Sequence, residues 1–388
     1  MKRLFAIATL ALVAAASGFA DETTEVYQML YKQAEGLPQK YAAALNLVEL
    51  NDKATAPILS QALEDLLLAQ QSYSSPMDQD LYGRTVRILA QALGDYKYAD
   101  AAPFLWDAAQ QVPDALARAE AIMALGKMRA LDYVERIALK LRDLNLQPTQ
   151  DRDAGEKLAY GCIVALDKFK DAKGFSPVFF ATDAWYSLRV RQEAAKALPG
   201  IADDPTDPIK DIIGAEAPER ELRALQAEAA SKAADPRKIE TAVLALGLGL
   251  QKSPRDRDEA KLLSDLRKFA LRILIAYKAA GPVPVDGCAA SYSGGFDDEE
   301  RLLALSALGA NGSDPAATAL RDIIVKLNAD EKAGLSDETR DRMAKAAIEN
   351  CAIAKNKIAR PALLAVTFDD KWSGGIILAA QTALKAMQ

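Results

Sequence analysis

The sequence predicts an all-α fold, a right-handed α-solenoid of about nine helical hairpins, on three observations. A helix ending in Ala-Leu-Gly or a near relative, then a polar turn and a second apolar helix, recurs along the 388 residues. No segment shows sustained apolar–polar alternation bounded by hairpin turns, the mark of a half-buried strand. Hydrophobic residues make up 50% of the chain and aromatics only 6%. That mix suits tightly packed helix pairs of small side chains better than a globular enzyme core.

The unit is clearest in "ARAEAIMALGKMRALDYVERIALKLRDLN", Ala117 to Asn145. Ala115, Ala119, Ile122 and Leu125 share one helical face, and Gly126 offers a residue that tolerates φ > 0 at the helix end. Asp132 and Glu135 have the spacing of a capping box for the next helix. Val134, Ile137, Ala138, Leu141 and Leu144 then recur at intervals of three and four, with charge largely elsewhere. A hairpin of roughly thirty residues cannot bury its second apolar face alone, so it needs neighbours.

Leu93, Leu125, Leu166, Leu198 and Leu308 mark equivalent helix ends, with steps of 32, 41, 32 and 110 residues. The last gap has room for weaker copies around "LQAEAASKAADPRKIETAVLALGLGL" and "FALRILIAYKAAG". "YAAALNLVELNDKATAPILSQAL" and "MAKAAIENCAIAKNKIARPALLAV" supply one further copy toward each end. "LRVRQEAAKALPGIADDPTDPIKDII", Leu188 to Ile213, resembles a HEAT repeat, including the Asp that recurs in that family's turn. "EERLLALSALGANGSDPAATALRDII" is similar to the shorter HEAT-like repeats also found in phycobilin lyases. The resemblance extends over most of the chain from Leu37 onward and implies an α-solenoid. That family serves mainly as protein–protein scaffolding, a role carried here by analogy alone.

Residues 1–20, "MKRLFAIATLALVAAASGFA", read as a secretory signal: Lys2 and Arg3, an apolar run, then Gly18 and Ala20 before a cut between Ala20 and Asp21. The expected division is a repeat array over 21–280, an irregular loop over 281–297 and further repeats over 298–388. The loop is inferred from the two Pro and four Gly of "AAGPVPVDGCAASYSGGF". The expected compartment is the periplasm or the exterior. Without Lys2 and Arg3, 46 basic residues stand against 54 acidic ones, a formal charge of −8. With no basic stripe between exposed aromatics, nucleic acid is a disfavoured partner. Nothing after the leader is apolar enough for an integral membrane segment.

The chain has no His, which removes Ser-His-Asp and Cys-His catalysis and His-bound zinc. Deoxyhypusine hydroxylase, a HEAT-repeat enzyme, holds iron through His-Glu motifs that cannot exist here. Neither a Walker motif nor a strand-borne G-x-G-x-x-G is present, and no cofactor or catalytic residue is expected. The carboxylates of "DDEE", Asp297–Glu300, and of "ADDPTD", Ala202–Asp207, are expected at helix starts, facing the macrodipole. Cys162 is expected as a small buried hydrophobe. Cys288, in the expected loop, and Cys351, in a later helix, are the pair that could bridge.

The candidate contact residues are Trp185 in "DAWYS", Tyr292 in "SYSGG" and Trp372 in "KWSGG". An aromatic plus Ser entering a helix is first a packed ring and an N-cap; the functional alternative is an aromatic-lined patch. The function expected is an exported, non-catalytic scaffold or adaptor that binds an envelope protein along the second helices of several repeats. The alternatives are a binding protein for a small ligand, glycan or peptidoglycan fragment, and a lyase-like enzyme with an unidentified site.

Overall fold

A computed structural model describes residues 24–335 and 337–388; the expected leader at 1–20 lies outside the described residues. Among these residues the chain is all helix, with no strand, and no helix is long and apolar enough to cross a membrane. It divides into two compact units, up to Ala202 and from Asp203 to Gln388.

In the first unit, α1 covers 24–33. Then come α2 (Gly36–Glu49), α3 (Ala56–Leu68), α4 (Pro76–Tyr96), α5 (Ala102–Gln111) and α6 (Ala115–Met128). Four more follow: α7 (Val134–Leu146), α8 (Arg152–Phe169), α9 (Phe175–Ala181) and α10 (Leu188–Ala197). The second unit holds α11 (Thr206–Ala215), α12 (Pro218–Ala230), α13 (Asp235–Gln251), α14 (Arg257–Ala276) and α15 (Val283–Gly294). It ends with α16 (Asp298–Asn311), α17 (Asp314–Lys332), α18 (Glu338–Ala354), α19 (Arg360–Thr367) and α20 (Gly374–Ala386).

Within each unit the helices form two layers, as in an α-solenoid. Even-numbered helices from α2 to α10, and from α12 to α20, pack side by side in chain order. Odd-numbered helices form the second layer, each laid against the even helix that follows it. Polar turns lead from each even helix to the next odd one, from α2–α3 to α18–α19, nine such connections among the described residues. The expected hairpin α6–α7 is therefore a chain connection, whereas the closest pairs are α5 on α6 and α7 on α8. A division at Ala202/Asp203, in the turn after α10, leaves every such pair whole.

The even helices α4, α6 and α14 end in Schellman turns. Ala130 N–H donates to Leu125 O and Tyr98 N–H to Leu93 O, so the markers Leu93 and Leu125 are residues whose carbonyls close the motif. The left-handed residue is not Gly126 as expected but Arg129, at φ 56°, with Lys97, Lys170 and Lys355 in the same place in other turns. Cations there sit against the negative end of the helix. Arg129 Nη2 also donates to Phe169 O at the end of α8, 3.2 Å away, and Lys170 Nζ to Gly200 O at 2.7 Å. Gly126 lies inside α6, where an added Cβ would stand 2.5 Å from Ala165 Cα. The capping box at Asp132 and Glu135 does not form: Tyr133 occupies the N-cap without a side-chain bond, and Glu135 pairs with Lys173 at 3.0 Å. Elsewhere the turn Asx accepts from the N–H two residues on, at Asp52, Asp171, Asp204, Asn311 and Asn356.

Residues 281–297 are not an irregular loop, because α15 runs through them. Gly281, at φ 91°, makes the bend, and the prolines stand where a helix start needs no N–H from them. Gly287 is required by proximity, since a Cβ there would meet Leu246 Cδ2 at 2.9 Å. The chain's division accordingly falls at Ala202/Asp203 and not at 281–297. Cys162, Cys288 and Cys351 are each buried and unpaired, and Cys288 sits in α15. Burial pushes all three thiols up to about 12, well outside nucleophilic range.

Two glycines test this account. Gly126→Ala should cost about 1–3 kcal/mol, because the backbone of α8 is in the way. Gly247, in α13, has nothing within 4 Å of an added Cβ; Gly247→Ala should be neutral or gain up to about 1 kcal/mol. Urea unfolding of both variants decides, and equal effects would refute the close approach of α6 to α8.

Candidate functional site

The outward face of the even layer in the first unit is hollowed. On α8, Asp153, Glu156 and Tyr160 recur at steps of three and four, on the face away from the buried Leu158, Ala159 and Cys162. They line a hollow of ≈ 460 Å³ together with Arg87 of α4, Leu116 and Met123 of α6, and Arg189 of α10. An adjoining hollow of ≈ 720 Å³ shares Arg87 and Leu116 and reaches Tyr41 on α2. The two make one open trough across five helices.

Its surface alternates in character. Leu116 is 41% exposed, although apolar. The Arg189 guanidinium lies over the Tyr160 ring, 5.5 Å from its centroid. Glu156 Oε1 accepts the Ser187 N–H at 2.9 Å, placing a carboxylate at the positive end of α10. Lys157 pairs with Asp153. Burial raises the Glu120 carboxyl above its ordinary value, against the pull of Lys127. Arg87 and Arg189 form no ion pair among the described residues. A trough of this kind, with guanidiniums outside ion pairs, an exposed Leu and an aromatic face, can hold an extended chain of mixed polarity.

The structure does not gather the three candidate aromatics. Trp185, half-buried in the first unit, donates its Nε1–H to Leu144 O at 2.7 Å. It also lies under Arg152 and beside Tyr186, at 5.4 and 4.6 Å. Trp372, in the second unit, is 4% exposed, with Nε1 bonded to Asn328 Oδ1 at 2.8 Å; it is a core ring and leaves the list of contacts. Tyr292 lines a separate hollow of that unit. "SYSGG" ends α15 instead of entering a helix, and Ser187 and Ser373 stand at N-caps without a capping bond. The trough also lies on the first helix of each turn, where the second was expected. Arg87, Leu116, Tyr160 and Arg189 were missed because they come from four repeats; only the i, i+3, i+7 face of α8 signalled one of them, Tyr160.

Three carboxylates go inside the second unit, Glu300 of the expected helix start among them. Asp297 caps α16, accepting from Glu300 N–H at 2.9 Å, but Glu300 is fully buried. Its oxygens take Arg267 Nε and Nη2 at 2.6 and 3.0 Å, Ser264 Oγ at 2.8 Å and Phe296 N–H at 3.1 Å. On α12, Glu221 and Glu228 are also fully buried. Each uses one oxygen, toward Lys252 Nζ and Thr206 Oγ1, both at 2.7 Å, and leaves the other without a partner. No group of His, Cys, Asp and Glu among the described residues has a metal-binding arrangement.

Burial raises the carboxyls of Glu221 and Glu228. A raised folded-state value means the folded chain holds more protons than the unfolded one between the ordinary and the raised value. Stability from these groups therefore rises as pH falls through that window and levels off below the ordinary value. Glu228→Gln should stabilise the chain at pH 7 and flatten this pH dependence. Urea melts at neutral and mildly acid pH check it; an unchanged profile would show that Glu228 does not carry the effect.

No protein-family model matches the chain, and no curated protein matches it. Among solved structures, human deoxyhypusine hydroxylase in complex with glycerol is similar at a TM-score of 0.29 and 15% identity, over 96% of this chain and 98% of that one. A likeness of that size carries no weight for function, and the α-solenoid stands on the helices themselves.

Proposed function

We propose that this chain is a non-catalytic scaffold or adaptor that docks a protein of the cell envelope. The observation that carries the reading is the trough on the even layer of the first unit, which draws Tyr41, Arg87, Leu116, Tyr160 and Arg189 from the five helices α2, α4, α6, α8 and α10. Such a surface is long, open and built on rigid elements, which suits a polypeptide better than an enclosed small molecule. The thiols, raised to about 12 by burial, are inert. The envelope assignment rests on the basic, apolar and small-residue order of residues 1–20.

Site-specific photo-crosslinking in cells tests it. A photoreactive side chain at Leu116 or Met123 should trap a near-stoichiometric protein. The same group at Leu146, 78% exposed on the odd layer, should not. Arg87→Glu with Arg189→Glu should weaken the isolated complex by about tenfold or more, or 1.4 kcal/mol and above. Absence of any adduct from a folded, abundant protein, or equal adducts from Leu146, would refute docking at this face.

A further inference from the structure

A second site, independent of the trough, follows from the composition of α15. From Gly287 to Gly294 its residues are Gly, Cys, Ala, Ala, Ser, Tyr, Ser and Gly. A helix thus stands in its place in the odd layer but brings little bulk toward α17. The space left is a hollow of ≈ 670 Å³ among α15, α16, α17 and α18, within the ordinary size of a small-molecule site. Ala289, Ala319 and Ile323 give it an apolar floor.

The charges around this floor are unequally committed. Asp322 is taken up by its neighbour Arg321, at 2.9 Å to Nε and 2.7 Å to Nη2. Asp330 meets Arg340 only at 4.0 Å. Arg340 reaches Asp337 at 3.8 Å, and Arg301 reaches Asp298 at 3.6 Å. Lys326 forms no ion pair among the described residues. Tyr292, half-buried, lines the same space, with Arg301 and Asp330 as electrostatic neighbours of its phenol. Lys326, two guanidiniums whose own polar contacts are all 3.3 Å or longer, and a phenol therefore surround an apolar floor, in a chain whose formal charge is −6. Arg301, Lys326 and Arg340 outnumber the lining carboxylates Asp322 and Asp330, and a concave apolar surface with that balance selects an anion with an apolar body.

We propose that this hollow binds a small carboxylate with an apolar body. The carboxylate meets Lys326, Arg301 and Arg340 and accepts the Tyr292 O–H, while the body lies on Ala289, Ala319 and Ile323. Planar guanidiniums hold a carboxylate by paired N–H donors, and the floor supplies burial without directional demand, so chain length and branching set affinity less than charge does.

Calorimetric titration of the full chain with 4-phenylbutyrate, and with its neutral isostere 4-phenylbutyramide, tests the site. The acid should bind saturably and about tenfold or more tighter than the amide. Lys326→Met should erase that advantage, and Ala319→Phe, which fills the floor, should weaken both probes by about tenfold or more. Helicity and melting temperature should stay as they are. No saturable binding at millimolar acid, equal binding of acid and amide, or indifference to both Ala319→Phe and Lys326→Met would each overturn the proposal. Crosslinking at Leu116 lies in the other unit, so failure here leaves the docking reading untouched, and the reverse.

Discussion

Where α4, α6 and α8 lie side by side, backbone comes against backbone. The Cβ that Gly94 lacks would stand 2.8 Å from Ala124 Cα, and the one that Gly161 lacks would stand 2.9 Å from Ala119 O. Small residues allow this approach, and the approach sets the rest. A helix flanked on both sides and from the odd layer must be apolar nearly all round, and α6 buries Ala117, Ala119, Ala121, Ile122, Ala124, Leu125 and Gly126. The same closeness brings each Schellman turn beside the next, so that Arg129 and Lys170 serve as donors to their neighbours' final carbonyls. One narrow free face remains on each even helix, and those faces, in series, are the trough.

The second unit adds buried charge to this scheme. Arg267 grips Glu300 with two nitrogens and donates Nη1 to Gly249 O at 2.9 Å, which ties α13, α14 and α16 through a single guanidinium. Removing one partner of such a pair typically costs about 3–5 kcal/mol, whereas replacing both with apolar residues is often harmless. Its value is therefore in fixing one register of α14 against α16. Glu221 and Glu228 lack that completeness, each leaving one buried oxygen on α12 without a partner.

The two units offer different surfaces. The first has a shallow trough on which apolar, aromatic and guanidinium groups alternate over five helices, a surface that reads length and pattern. The second has a compact hollow with a surplus of cations, a surface that reads a single charge. The difference originates in side-chain size: α15 is poor in bulk where the rest of the odd layer carries Leu, Ile, Val and Phe.

By itself the sequence determined the class of fold and the positions of the turns. Periodicity and the recurring small-residue helix ends are local, and a chain that repeats them has few ways to bury both faces of each helix. Leu93 and Leu125 were legible as markers for that reason, and Val134, Ile137, Ala138 and Leu141 as the buried face of α7. Only the tertiary structure decided what each exception was for. The Gly and Pro of 281–297 looked like punctuation, but Gly287 meets Leu246 and the prolines begin a helix. Glu300 looked like a surface cap until Arg267, 33 residues earlier, closed over it. Trp372 looked available until Asn328 held it in the core. Arg87 and Arg189 carried no mark, because a binding face assembled across repeats has no local period. Local patterns encode how a helix is buried, whereas a site is encoded in which faces the packing leaves uncovered.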